Sequence, residues 1–173
     1  MSRPVEDAEI LSVVDSTDSV IGEKRRDEIH LQGLRHRAVH VLVFNPKGAI
    51  FLQERGKHKV ENPGMWDSSV AGHVDAGESY DECCVREVDE EVGLMLDQAP
   101  LRLFKLDASV DTGMEFAWVY QVDTDKPLVP NLEEMSGGDW FDPAEVDRWV
   151  NSGVESISPV FRLIWKTYRA LKE

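Results

Sequence analysis

The chain has 173 residues, 42% of them hydrophobic, with a formal net charge of −14. That is enough for one domain with a real core. So acidic a chain is a poor partner for a nucleic-acid polymer, whose phosphates are held by net positive surfaces. No apolar run approaches the roughly 18 residues of a membrane span, and the N-terminus MSRPVEDAEI lacks the apolar centre of a secretory signal. Cys83 and Cys84 are adjacent, a poor geometry for pairing with each other, and read as reduced thiols of a cytoplasmic protein.

In chain order, residues 1–8 read as a flexible tail and 9–173 as a single domain. Residues 10–14 form a short strand, followed by the turn-like STDS. Residues 23–35 are polar and irregular, with a helical turn at most. Residues 38–44 and 49–53 are two apolar strands joined by Asn45-Pro-Lys-Gly48. Residues 56–64, GKHKVENPG, form a basic, turn-rich loop, and 66–71 a further strand. Ser79-Tyr-Asp-Glu82 is a capping box that opens a helix, and Gly93 closes it. Val85, Val88 and Val92 supply its apolar stripe. Strands over 101–108 and 115–122 follow, joined around Asp111-Thr-Gly113, and Trp140-Phe141 ends a short strand. Asp142-Pro-Ala-Glu145 is a second capping box, and Ser158-Pro159 opens the last helix, with Phe161, Ile164, Trp165, Tyr168 and Leu171 as its stripe. Strands and helices interleave without a regular repeat, which predicts an α+β fold, a mixed sheet with helices packed on its faces.

The densest chemistry lies in GHVDAGESYDECCVREVDEEVGL, residues 72–94. Glu87, Glu90 and Glu91 stand at i, i+3 and i+4 on the predicted helix and share one face. Carboxylates that close raise one another's pKa, and a hard divalent cation removes the conflict. A solvated acidic face is the competing reading. The spacing decides between them. Gly72, five residues, Glu78, seven residues, then Arg86-Glu87-Val88-Asp89-Glu90-Glu91-Val92-Gly93-Leu94 matches without departure the signature of the Nudix hydrolases, which the chain resembles.

The resemblance implies an α/β/α sandwich around a mixed β-sheet. It also implies hydrolysis of a nucleoside diphosphate linked to some other group, with Mg²⁺, or Mn²⁺ as a substitute. It makes Glu87, Glu90, Glu91 and the backbone carbonyl of Ala71 metal ligands, has Arg86 orient a glutamate, and makes Glu78 a supporting carboxylate. Gly72 and Gly77 would let the loop curl around the cation. The general base stays open among the box glutamates, Glu115, Glu133 and Glu134.

A second set of residues is similar to the isopentenyl diphosphate isomerases, which share the fold: His36-Arg-Ala-Val-His-Val-Leu-Val-Phe44, Arg55-Gly-Lys-His-Lys59, Asn62-Pro-Gly-Met-Trp66 and Ala71-Gly-His73. That resemblance implies that Arg55 and Lys59 grip a diphosphate and that His36 and His73 help bind a metal. His30 matches a further isomerase histidine only across a gap, and Glu115 one of two late glutamates. The isomerase cysteine, however, is replaced by Ala71, which has no proton to move. Arg55, Lys57 and Lys59 are thus candidate phosphate clamps, or else a solvated loop. Trp66, Phe116, Trp118 and Tyr120 are candidate base-stacking rings, although the last three share a strand face and also fit a core. The expected activity is metal-dependent hydrolysis of the diphosphate bond in a small nucleotide, releasing a nucleoside monophosphate. Diphosphate isomerisation and a non-catalytic nucleotide-binding module are the alternatives.

Overall fold

The computed structural model describes residues 8–173. Most of the expected tail lies outside these residues. Ala8 is exposed at the start of the described chain.

The described chain folds in the order β1 (Ile10–Val14), β2 (Val20–Arg25), α1 (Arg26–Gln32), β3 (His36–Phe44), β4 (Ile50–Arg55), β5 (Trp66–Asp67), β6 (Val70–His73), α2 (Tyr80–Val92), β7 (Leu101–Leu106), β8 (Glu115–Asp123), β9 (Met135–Phe141), α3 (Pro143–Asn151) and α4 (Pro159–Lys172). Seven strands form one mixed sheet, β3 running parallel to β8 and antiparallel to β4 and β6. Side chains along β3 alternate between two cores, as strand geometry requires. Val39, Val41 and Val43 pack with Cys83, Cys84, Val88 and Val92 under α2. Leu42 and Phe44 pack with Val146, Ile164 and Trp165 under α3 and α4. This is the expected helix–sheet–helix sandwich. Among the described residues no helix is long and apolar enough to cross a membrane.

The sheet is forked, and the fork positions the site. β3 and β4 pair only at Val43↔Phe51 and Phe44↔Ile50. Beyond that they part: β6 adds to β3, while β5 adds to β4. The expected continuous strand over 66–71 is therefore two short ones, broken at Ser68-Ser69 where the chain crosses the fork. Ser69 stitches the crossing by donating from Oγ to the Phe51 carbonyl and accepting from Val43 N–H.

Residues 23–35, expected to be irregular, contain the end of β2 and all of α1. β2 is almost wholly exposed, so it carries no alternation that a sequence reading could detect. This N-terminal hairpin is fastened to the rest by Asp18. Its carboxylate accepts from Arg37 Nε at 2.7 Å, Tyr80 Oη at 2.7 Å and Lys105 Nζ at 2.5 Å. Asp18 has φ 63, a left-handed conformation that aspartate tolerates better than most residues.

The capping box of α2 is present: Ser79 Oγ accepts from Glu82 N–H and Glu82 accepts from Ser79 N–H, with Gly93 left-handed at the other end. Its buried stripe is Tyr80, Cys84, Val88 and Val92, four residues apart, with Val85 only half-buried. The second capping box is an N-cap, Asp142 accepting from Ala144 N–H. In the last helix Leu171 is exposed, while the other stripe residues are inside. Phe116 and Tyr120 are buried and Trp118 packs against the α2 core, so these three rings serve the core.

Candidate active site

A cleft of about 360 Å³ opens in the fork, lined by the carboxylates of α2 and by Arg55, at the end of β4, and Lys59 beyond it. Helix α2 crosses beneath β6, so Glu87 and Glu91 rise against the backbone of residues 71 and 72. Glu91 is 6% exposed; its carboxylate accepts from Gln53 Nε2 at 3.1 Å and from Ala71 N–H at 3.2 Å. The Glu87 side chain is 14% exposed and that of Glu90 54%. Burial pushes the carboxyls of Glu87 and Glu91 up, Glu87 to about 7, and each is raised further by a neighbouring carboxylate. Two buried carboxyls and a third at the rim, facing a cleft, form a set of hard oxygen donors that a divalent cation satisfies.

Arg86 does not line the cleft. Its Nε and Nη2 grip Glu78 at 2.7 and 2.8 Å, and its Nη1 donates to Glu87 at 2.7 Å and to Glu90 at 3.2 Å. Nη2 also reaches the His73 carbonyl. Burial would raise the Glu78 carboxyl, but the Arg86 fork outweighs it and holds it below its usual range. Gly77 has φ 82 and makes the tight turn expected of it. Gly72 does not: it lies in β6, and a methyl group there would overlap the Glu87 carboxyl. Its glycine is needed for close approach rather than for curling.

A second donor set lies beside the first. His30 of α1, His36 of β3, His73 of β6 and Glu115 of β8 bring one ligand atom each to within 4.8 Å of all the others. Glu115 Oε1 stands 2.8 Å from His73 Nε2 and 3.3 Å from His36 Nε2. Burial alone would raise the Glu115 carboxyl; the two imidazoles outweigh it and hold it well below the usual range. Burial pushes His73 down to about 4, whereas at His36 the pull of Glu115 overcomes burial and raises it. His36 Nδ1 lies 2.9 Å from the Leu34 carbonyl and must donate to it, which leaves Nε2 with the lone pair. That Nε2 is buried, and the 3.3 Å approach of Glu115 Oε1 falls short of a well-formed hydrogen bond; together with its three neighbours it forms the donor set. Three imidazoles and one carboxylate suit a transition-metal ion better than magnesium.

Of the predicted clamps, Arg55 and Lys59 line the cleft. Arg55 Nε donates to the Glu61 carbonyl at 3.0 Å and its Nη1 lies 3.8 Å from Asp67; Lys59 is paired with Glu134 at 2.9 Å. Arg26, which sequence reasoning missed, joins them on the cleft wall. Lys57 is exposed and stands outside the cleft. Trp66 is not brought there either: it packs against Phe141 and Trp149 on the α3–α4 side. Of the acids considered as general base, Glu115 and Glu134 reach the cleft and Glu133 does not. Gln53, His40 and Asp67 also line it, three buried polar residues in strands that otherwise read as core. A polar residue interrupting an apolar strand was their one visible signal.

A forked mixed sheet between helices, with this loop–helix–loop beneath the fork, defines a class, and comparison with known proteins agrees. The NUDIX domain profile matches residues 34–162. An uncharacterized Nudix hydrolase of Nostoc sp. is 33% identical over 171 residues, covering 95% of this chain and 98% of its own. Isopentenyl-diphosphate Delta-isomerase 1 of Photorhabdus laumondii is 28% identical over 159 residues, 88% of this chain and 90% of that one. Among solved structures, a protein of Deinococcus radiodurans superposes with a TM-score of 0.81 at 27% identity, over 92% of this chain and 98% of that one. The chain belongs to the Nudix family and is a Nudix hydrolase.

Proposed function

We propose that the chain hydrolyses the diphosphate bond of small nucleotides, nucleoside di- and triphosphates or nucleotide conjugates, and releases a nucleoside monophosphate. The observation that carries this reading is the pair Glu87 and Glu91, withdrawn from solvent, raised in pKa and lining the same cleft as Arg55 and Lys59. Carboxylates and phosphate clamps in one cleft suit a diphosphate that arrives with Mg²⁺, or with Mn²⁺. Glu87, Glu90, Glu91 and the Ala71 carbonyl would hold that ion. When bound, it would neutralise phosphate charge and acidify a water molecule. Arg86, anchored by Glu78, positions Glu87 from behind. Gln53 fixes the rotamer of Glu91. Arg55 and Lys59 orient the phosphate oxygens, the first as a fork and the second as a point charge.

His30, His36, His73 and Glu115 form a second centre, for a transition-metal ion. The buried Nε2 of His36, without a well-formed hydrogen bond and 3.3 Å from Glu115, supports it. Isomerisation is disfavoured by the same geometry. Ala71 offers no thiol in the cleft, and the two cysteines sit fully buried under the sheet, where burial pushes the Cys84 thiol up to about 12 and that of Cys83 higher still. The test is chromatographic detection of nucleoside monophosphate from a panel of nucleotides, with and without Mg²⁺. Magnesium-dependent release is expected. No release from any member of the panel refutes the reading.

A further inference from the structure

One imidazole on the cleft floor belongs to neither donor set. His40 stands in β3, 3% exposed, directly across the strand pairing from Ala71. Its neighbours in sequence, Val39, Val41 and Leu42, are all core residues. Nδ1 shares a hydrogen bond with Ser68 Oγ at 2.9 Å, and an Asp67 oxygen lies 3.9 Å from the same nitrogen. Nε2 has no hydrogen bond among the described residues, yet it is not one of the sealed, partnerless atoms; since His40 lines the cleft and its Nδ1 is taken by Ser68, we infer that Nε2 is the edge that meets the cleft. A histidine retained only for packing would have both nitrogens satisfied, because a half-paired polar group in a core costs stability that a leucine would not. The unpaired edge therefore points to a ligand.

We propose that His40 is a specificity-determining residue. Its Nε2 hydrogen-bonds a hydroxyl in the part of the substrate that reaches the apex of the fork. The chain therefore prefers diphosphates that carry such a group to diphosphates of a plain alkyl alcohol. This rests on the pyrophosphohydrolase reading and narrows its substrate class. Asp67 and Ser68 hold the ring from one side, and Arg55, beside Asp67, marks where the phosphates lie. An alkyl group laid against Nε2 would strip its water and return nothing, a mismatch that hydrogen-bonding sites punish severely.

The experiment compares kcat/KM for a nucleoside diphosphate and for 3-methylbutyl diphosphate in wild type, His40→Leu and His40→Gln. The wild type should favour the nucleotide. His40→Leu should lower that preference by about tenfold or more, and His40→Gln, which keeps a polar end, should restore part of it. Leucine suits the apolar neighbours but leaves the buried Ser68 hydroxyl unpaired, so H40L should fold and melt somewhat below the wild-type temperature. Should H40L fail to fold, His40→Asn, polar but too short to reach, must show the same loss of preference. An unchanged preference in a folded variant overturns the proposal, as does a wild type that prefers the alkyl diphosphate. Calorimetric binding of non-hydrolysable α,β-methylene analogues of both compounds runs alongside. A chain that binds the nucleotide analogue through His40 without cleaving any nucleotide refutes the hydrolase reading and leaves the role of His40 standing.

Discussion

Replacing Glu87 by glutamine should change how stability depends on pH. The Glu87 carboxyl is pushed up to about 7, first by burial and then by Glu90, against the opposing pull of Arg86. In the unfolded chain it ionises near its ordinary value of 4.5. As pH rises between these values the unfolded state gives up its proton while the folded state keeps it, so the wild type loses stability with rising pH. At roughly 1.4 kcal/mol per pH unit the loss is about 3 kcal/mol, complete above pH 7. His73, lowered to about 4 by burial, has the opposite slope between pH 4 and 6.5, because there the unfolded state binds the extra proton. The two oppose each other in the wild type, so a single pH curve resolves neither. The difference between wild type and Glu87→Gln removes His73 and isolates Glu87; relief of Glu91 adds to it with the same sign. Urea titration in EDTA at pH 5 and pH 8 should show the variant gaining about 3 kcal/mol on the wild type, or roughly 6–12 °C in Tm for a chain this size. Millimolar magnesium should return most of that to the wild type at pH 8. An equal difference at both pH values would refute the placement of Glu87 as an acid whose burial outweighs the pull of Arg86.

The two proposed centres should separate by mutation. Metal analysis of purified protein should find a transition metal that survives Glu87→Gln and is lost in His36→Ala; retention in both variants would refute the second centre. Among the basic residues, Arg55→Ala and Lys59→Ala should each raise KM about tenfold or more, the cost of losing a charge-assisted phosphate contact, whereas Lys57→Ala should leave it unchanged. An effect at Lys57 equal to that at Arg55 would mean that the loop acts as a diffuse charge.

What the sequence made legible depends on how local the cause was. Helix α2 could be read to the residue because its causes are adjacent: Ser79 and Glu82 cap one end, Gly93 the other, and the glutamates are fixed at helical spacing between them. β2 was not legible because an exposed edge strand has no buried face to impose a period. The cleft floor was hidden for a topological reason. Gln53, Asp67, His40 and Ala71 lie on four strands and meet only because β3 and β4 part after two paired residues. The histidine centre draws on α1, β3, β6 and β8, so no single stretch contains it, and only the isomerase resemblance pointed to its four residues. Trp66 illustrates parity. It adjoins Asp67 in a two-residue strand, successive side chains point to opposite faces, and Asp67 takes the cleft while Trp66 takes the α3–α4 core.

Strand β6 serves both centres at once. Its four residues, Val70 to His73, supply the backbone against which Glu87 and Glu91 rise and also one imidazole of the second donor set. That arrangement makes Gly72→Ala a sharp test of how the acidic set is built. No unusual backbone angle requires glycine there. The constraint is that a methyl group would occupy the space of the Glu87 carboxyl and its Cγ. Something must move, and the cheapest element to move is the end of the Glu87 side chain, which would swing away from β6 toward solvent. That motion relieves its burial, so the variant should be as stable as wild type in EDTA at pH 8, or more so. It also dismantles the donor set, so turnover should fall by two orders of magnitude or more, the usual scale for losing a preorganised charged group, and magnesium should no longer raise Tm. His73, one residue on, stays tied to Glu115, so the transition metal should remain bound. Near-normal turnover in Gly72→Ala would mean that Glu87 does not need its place against β6, and the proposed geometry of the acidic centre would be wrong.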